Sequence, residues 1–271
     1  LWNIKIIFNA IKDQKSKPAK NYRGGRPTVE NDTLRHLTVT GTGITSGGTF
    51  NKVKIRGEGT INGDLDCVQW KVFGTADANG LVKAKTIDIF GQANMKGNVE
   101  AESIKIFGEA DIQGHATMKD LNLRGAVHIK ERLVGGHIHG YGELKIENDC
   151  EADSISLKGA VAIGRTLNAE KVSLYLHFED SRIAEIGGEV IRVTKSKAFN
   201  VINFLKRFRQ DSAKLVAESI EGDDIYLEYT KAKVVRGKEV TIGPGCEIDL
   251  VEYQTSFQQD EKAIVIDSKK V

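Results

Sequence analysis

Residues 84–108 read AKTIDIFGQANMKGNVEAESIKIFG, so Ile87-Asp-Ile-Phe-Gly91 returns one repeat later as Ile104-Lys-Ile-Phe-Gly108. The closing glycine persists far beyond this pair: Gly57, Gly74, Gly91, Gly108, Gly125, Gly142 and Gly159 keep the same interval. A second series, Gly63, Gly80, Gly97 and Gly114, trails the first by a constant offset and then gives way to Glu131, Asn148 and Arg165. The two series mark two corners of one repeating coil.

The apolar residues between the glycines fall into columns of pairs spaced by two, which is the period of a strand. One column runs Val53/Ile55, Trp70/Val72, Ile87/Ile89, Ile104/Ile106 and Leu121/Leu123; others contain Ala93/Met95 and Val127/Ile129, and Leu65/Cys67 and Leu167/Ala169. Three short strands per repeat, each with one face inward, predict an all-β fold: a parallel β-helix, or triangular solenoid, of roughly ten coils. Successive coils then stack about 4.8 Å apart, and each column becomes a ladder of like residues along the axis. Glycine suits the corners because a tight bend calls for positive φ or for no Cβ inside the angle.

Working outward, the solenoid domain is expected over 37–255, interrupted at 194–214. Leu37-Thr-Val39-Thr-Gly41 anticipates the later coils, and Leu215 to Leu250 resumes them. Residues 1–36 read as a basic tail and linker, 253–271 as a last strand or cap with a mobile lysine end, and 256–271 are set outside the solenoid domain as a C-terminal tail or cap. The net charge of +2 is unevenly spread, because residues 1–30 and 194–214 each carry a local excess of five positive charges. Leu1, Ile4, Phe8 and Ile11 follow helical spacing, as do Val201, Phe204, Leu205 and Phe208 within the interruption. Trp2, Ile4, Phe8, Phe204, Leu205 and Phe208 are therefore candidate membrane or partner contacts, with packing on the solenoid as the plainer reading.

Three separated cysteines, two of them in inward columns, read as buried free thiols of a reducing compartment. No apolar run approaches the roughly 20 residues that cross a bilayer, and no signal peptide is evident, so a cytoplasmic location is expected. Outward columns alternate in charge, as in Lys71, Asp88 and Lys105, or Asp66, Lys83 and Glu100, which fixes the register of stacking. A different column precedes the corner glycines: Arg56, Phe73, Phe90, Phe107, Arg124, Tyr141 and Lys158. Phe73, Phe90 and Phe107 would form an apolar stripe, either covered by the chain itself or used for interaction, with cations at its ends.

Chemistry-bearing motifs are weak. His137 and His139 form an HxH on one strand, but His115 and His128 belong to other columns, so no metal site is expected. Gly41-Thr-Gly43 and Gly47-Gly48 lack the Gly-Lys-Ser/Thr ending and the helix of a phosphate loop, so no cofactor is expected. Nucleic acid is not an expected partner, since neither basic segment carries a folded recognition motif. β-Helices also serve acyltransferases and carbohydrate-cleaving enzymes, which is the alternative to a non-enzymatic role. The interval between corner glycines is one short of three hexapeptides, and no catalytic residue is assigned.

The segment Asn51-Lys-Val-Lys-Ile-Arg-Gly-Glu-Gly-Thr-Ile-Asn-Gly-Asp-Leu65, the Ile-Lys-Ile-Phe-Gly units and Ile220-Glu-Gly-Asp-Asp-Ile-Tyr-Leu227 resemble the bactofilin family of bacterial polymer-forming cytoskeletal proteins, particularly its members from Bacillus-like bacteria. So does Val240-Thr-Ile-Gly-Pro-Gly-Cys-Glu-Ile248. The resemblance implies a right-handed triangular β-helix that assembles into filaments without nucleotide, flanked by disordered tails and often held at the inner face of the cell membrane. It implies a scaffold in cell shape, motility or protein localisation, with itself, membrane lipid and unidentified client proteins as partners. The basic insertion and the apolar N-terminus depart from the family's expected pattern. Assembly also follows from solenoid physics, because terminal coils expose unpaired backbone and a slice of core. Leu37 and Val39 at one end, and Ile248, Leu250 and Val251 at the other, are the candidate polymerisation contacts.

Overall fold

The computed structural model describes residues 34–177, 179–196 and 213–271. Eleven strand segments follow one another: β1 (His36–Ala78), β2 (Val82–Met95), β3 (Val99–Ile112), β4 (Ala116–Ile129), β5 (Leu133–Ile146), β6 (Cys150–Leu176), β7 (Ser181–Lys195), β8 (Leu215–Leu227), β9 (Thr230–Ile242), β10 (Glu247–Gln259) and β11 (Ile264–Lys270). They pair in sequence order into one sheet, and each strand lies parallel to its neighbours. Parallel neighbours joined by such short links cannot be hairpins. The chain must travel round a closed coil and return beside its start, which makes the fold a β-solenoid of about eleven turns with ~17 residues per turn.

Like residues meet like. Ile87, Ile104, Leu121, Ile138 and Ile155 are Cα partners in succession, as are Gly91, Gly108, Gly125, Gly142 and Gly159. The inward columns form one continuous core along the stack, and Trp70, Ile87, Ile89, Leu123 and Leu144 are wholly shielded from solvent. A spacing of about 4.8 Å per turn gives a rod of roughly 50 Å.

The corner glycines are required by geometry. Gly125 has φ +141°, and a Cβ added to it would lie 2.0 Å from the carbonyl oxygen of Gly108. Each corner backbone rests directly on the one below, leaving no room for a side chain.

The period relaxes outside the central turns. Gly57 stacks on Gly41, a slightly shorter step, and Thr166 pairs with Glu185, a longer one. Gly188, Gly222, Gly237 and Tyr253 share one column, and Ile248 pairs with Val265 at the spacing of the central turns. Register shifts at Ile163/Thr166 and Tyr253/Ser256 absorb the odd lengths, so the core columns stay aligned.

One expectation changes. The solenoid has about eleven turns rather than ten: the stretch read as a last strand, cap or tail contains the end of β10 and all of β11. No helix occurs among the described residues, and the expected amphipathic helix, with Phe204, Leu205 and Phe208, falls on residues outside them. Both feet of that interruption are tied to the coil. The Ser196 N–H donates to the Leu176 carbonyl at 3.1 Å, and the Lys214 N–H donates to Asp180 Oδ1 at 3.0 Å.

Candidate assembly ends and surface columns

β1 and β11 are the terminal members of the sheet, so each presents an edge without a strand partner among the described residues. At the first end Leu37 and Val39 are half-buried against the core, while Leu34 and Ile44 are 40% and 76% exposed. At the far end Val265 continues the core column of Ala232 and Ile248, again half-buried, beside Ile264 (63% exposed) and Ile266 (75%). Both ends therefore expose apolar side chains next to open backbone edges.

The far-end contacts anticipated from sequence lie one turn too deep. Ile248 and Val251 are fully buried, and β10, which also carries Leu250, is paired on both sides, to β9 and to β11. The terminal surface is instead formed by Ile264–Lys270. The missed signal is the period itself, since Ile264 and Val265 stand one full repeat after Glu247 and Ile248.

The aromatic column forms as expected. Phe73, Phe90 and Phe107 stack with ring centroids 5.1 Å apart and planes within 7° of parallel. Phe73 and Phe90 are exposed and Phe107 is half-buried. Arg124 lies over the Phe107 ring at 5.5 Å, whereas the cation over Phe73 is Lys54, from the neighbouring column, at 5.4 Å. Lys158 lies over Tyr141 at 5.8 Å. The column reaches one turn further than sequence reading takes it, because the His177 N–H bonds the Gly159 carbonyl and so brings Tyr175 beside Lys158. Trp2, Ile4 and Phe8 lie outside the described residues.

Charge ladders clip neighbouring turns together. Lys71 pairs with Asp88 at 3.3 Å and Lys83 with Glu100 at 3.9 Å; such exposed pairs contribute about 0.2–1 kcal/mol each. His128 is held between Asp111 (3.1 Å) and Glu147 (2.8 Å), on the turns either side of it. The shallow groove that holds His128 is lined by Asp77, Asn94, Asp111 and Lys145 among others, with no Ser, Thr or Cys to act as nucleophile. His137 Nδ1 lies 3.0 Å from Ser154 Oγ, and no group of three or more His, Cys, Asp or Glu ligands converges among the described residues.

Three carboxylates are held below their ordinary value of 4.5: Glu147 by bonds from His128 and Lys145, Glu247 by Lys231 and Lys214, and Glu252 by Lys269 and Arg236. A depressed carboxylate stabilises the fold above the ordinary value, and that contribution is lost as pH falls through the lowered one. The melting temperature is therefore expected to drop on acidification below about pH 4.5, and by less in Glu247→Gln, as circular dichroism melts at stepped pH would record.

Burial pushes the Cys67 and Cys150 thiols up to about 12 and that of Cys246 to about 11. Their thiolates are scarce near neutrality and shielded from reagent. The folded protein is expected to resist a thiol-labelling reagent over hours at about pH 8 and to take up label at all three sites once denatured.

Parallel turns stacked in register, with ladders of like residues along the axis, define a β-solenoid. Residues 34–117 match the family described as bactofilin, polymer-forming cytoskeletal. The uncharacterized protein YhbE of Bacillus subtilis (strain 168) is 46% identical over 240 residues, covering 89% of this chain and 100% of that protein. The uncharacterized protein YhbF of the same organism is 40% identical over 105 residues, covering 39% of this chain and 41% of that protein. No solved structure matches the chain. The chain belongs to the bactofilin family, and so to a polymer-forming cytoskeletal class. Among the described residues no helix is long and apolar enough to cross a membrane.

Proposed function

We propose that this protein is a non-enzymatic scaffold whose solenoids join end to end into filaments without nucleotide. The observation that carries the reading is the pair of terminal turns, each with an edge that has no strand partner among the described residues and with exposed apolar side chains. Joining two ends pairs the backbone groups and removes the core slice from water, at about 25 cal/mol per Å2 of apolar surface. The family description supports self-association.

The finer reading is a right-handed rod, cytoplasmic and held at the inner face of the membrane, serving cell shape, motility or the placement of client proteins. Sedimentation velocity without nucleotide tests the assembly: species growing with concentration are expected, and a single monomer boundary at all concentrations would remove the reading. Vesicle binding tests the membrane part.

A further inference from the structure

The aromatic column does not stand alone. It is one of three outward columns on a single face of the coil, and over residues 52–175 that face differs in charge from the rest of the rod. Its columns contain Arg56, Arg124 and Lys158; Lys54, Lys71 and Lys105; and Lys52 and Lys171, against only Asp88 and Asp120. Elsewhere in the same stretch 15 Asp or Glu stand against eight Lys or Arg. Asp88 is already paired with Lys71. The face is thus basic and aromatic, and the remainder of these turns is acidic.

We propose that this face lies on an anionic lipid surface. The inference rests on the membrane part of the reading above and adds the face that makes the contact. Phe73, Phe90, Phe107, Tyr141 and Tyr175 run along one edge of the face, interspersed with Arg124 and Lys158. Aromatic rings favour the headgroup boundary of a bilayer, and Lys and Arg near it are attracted by anionic lipid. Eight turns give an edge of roughly 35 Å, long enough to bind additively while the acidic sides point away. A second copy is a poorer occupant. Its acidic sides offer ladders such as Asp77, Asn94 and Asp111, which attract the cations but give the phenyl rings no apolar socket. The basic character ends with the regular turns, since the column of Lys171 continues as Val190, Asp224 and Glu239.

The test is co-sedimentation of the full chain with vesicles of phosphatidylglycerol and phosphatidylcholine, and with phosphatidylcholine alone. Wild type is expected to bind the anionic vesicles only. A charge variant (Lys54→Glu, Arg124→Glu, Lys158→Glu) and an aromatic variant (Phe73→Ser, Phe90→Ser, Phe107→Ser) should each bind about tenfold less at equal lipid, with unchanged β circular dichroism. Lys83→Glu, Lys85→Glu, Lys119→Glu makes the same charge change off the face and should bind nearly as wild type. Because the charge variant alters only surface groups, it keeps the test decisive if the aromatic variant misfolds. Binding undiminished in the charge variant would overturn the face while leaving membrane association standing. Wild type that ignores anionic vesicles would remove both, and equal loss in the off-face variant would reduce the effect to net charge. Lateral bundles without lipid that disappear in the face variants would make a second copy the occupant and overturn the proposal.

Discussion

Gly125→Val is expected to abolish the native solenoid or destabilise it by more than about 4 kcal/mol. Two penalties coincide at this corner. The backbone holds φ at +141°, a region that disfavours a β-branched residue, and the new Cβ would lie 2.0 Å from the Gly108 carbonyl oxygen. Gly108 cannot give way, because the Cβ site on its own underside is 2.1 Å from the Gly91 oxygen. Relief at one turn would have to propagate along the stack. Gly41 is the matched comparison, with φ +78° but nothing within 4 Å of an added Cβ, so Gly41→Ala should cost only about 1–2 kcal/mol of strain. Urea denaturation of both variants gives the answer. A Gly125→Val protein with near wild-type stability would contradict the stacked-corner account.

The second large effect is on assembly. Val265→Asp combined with Val39→Asp places a carboxylate in the exposed core slice at each end of the rod. Charge taken into an apolar joint without a partner is strongly unfavourable, so association should weaken by at least about 2 kcal/mol, or roughly thirtyfold. The fold itself should survive, since both residues are only half-buried and belong to terminal turns. Sedimentation should show monomer where the wild type shows larger species, with the β signal retained. Undiminished assembly would mean that the joint lies on the sides of the rod.

These two expectations differ in how far the sequence exposes them. The corner at Gly125 is legible because a stacked turn repeats one steric demand, and seven glycines at one interval record it. The terminal turn is obscured because the period breaks before it: the coils shorten after the interruption, where Leu215 pairs with Thr230 and Ala232 with Ile248. Ile264-Val-Ile-Asp-Ser-Lys-Lys270 then reads as a last strand, cap or tail with no register of its own, and the full-length step from Ile248 to Val265 joins it to the stack. Ile248 and Val251 look terminal for the same reason. The aromatic column is visible as a column, but the charge of its face is not. That property appears only when Lys52, Lys54 and Arg56 are summed with their partners seven turns along.

The proposed filament is a stack of solenoid turns along one axis that continues from molecule to molecule. Electron microscopy of the purified protein without nucleotide, with diffraction along any filament, tests it most directly. The account predicts unbranched filaments with a reflection near 4.8 Å along the filament axis, about the spacing of neighbouring strands, since strands run across it. Discrete particles at every concentration, or filaments whose spacing of about 4.8 Å lies across the axis, would contradict it.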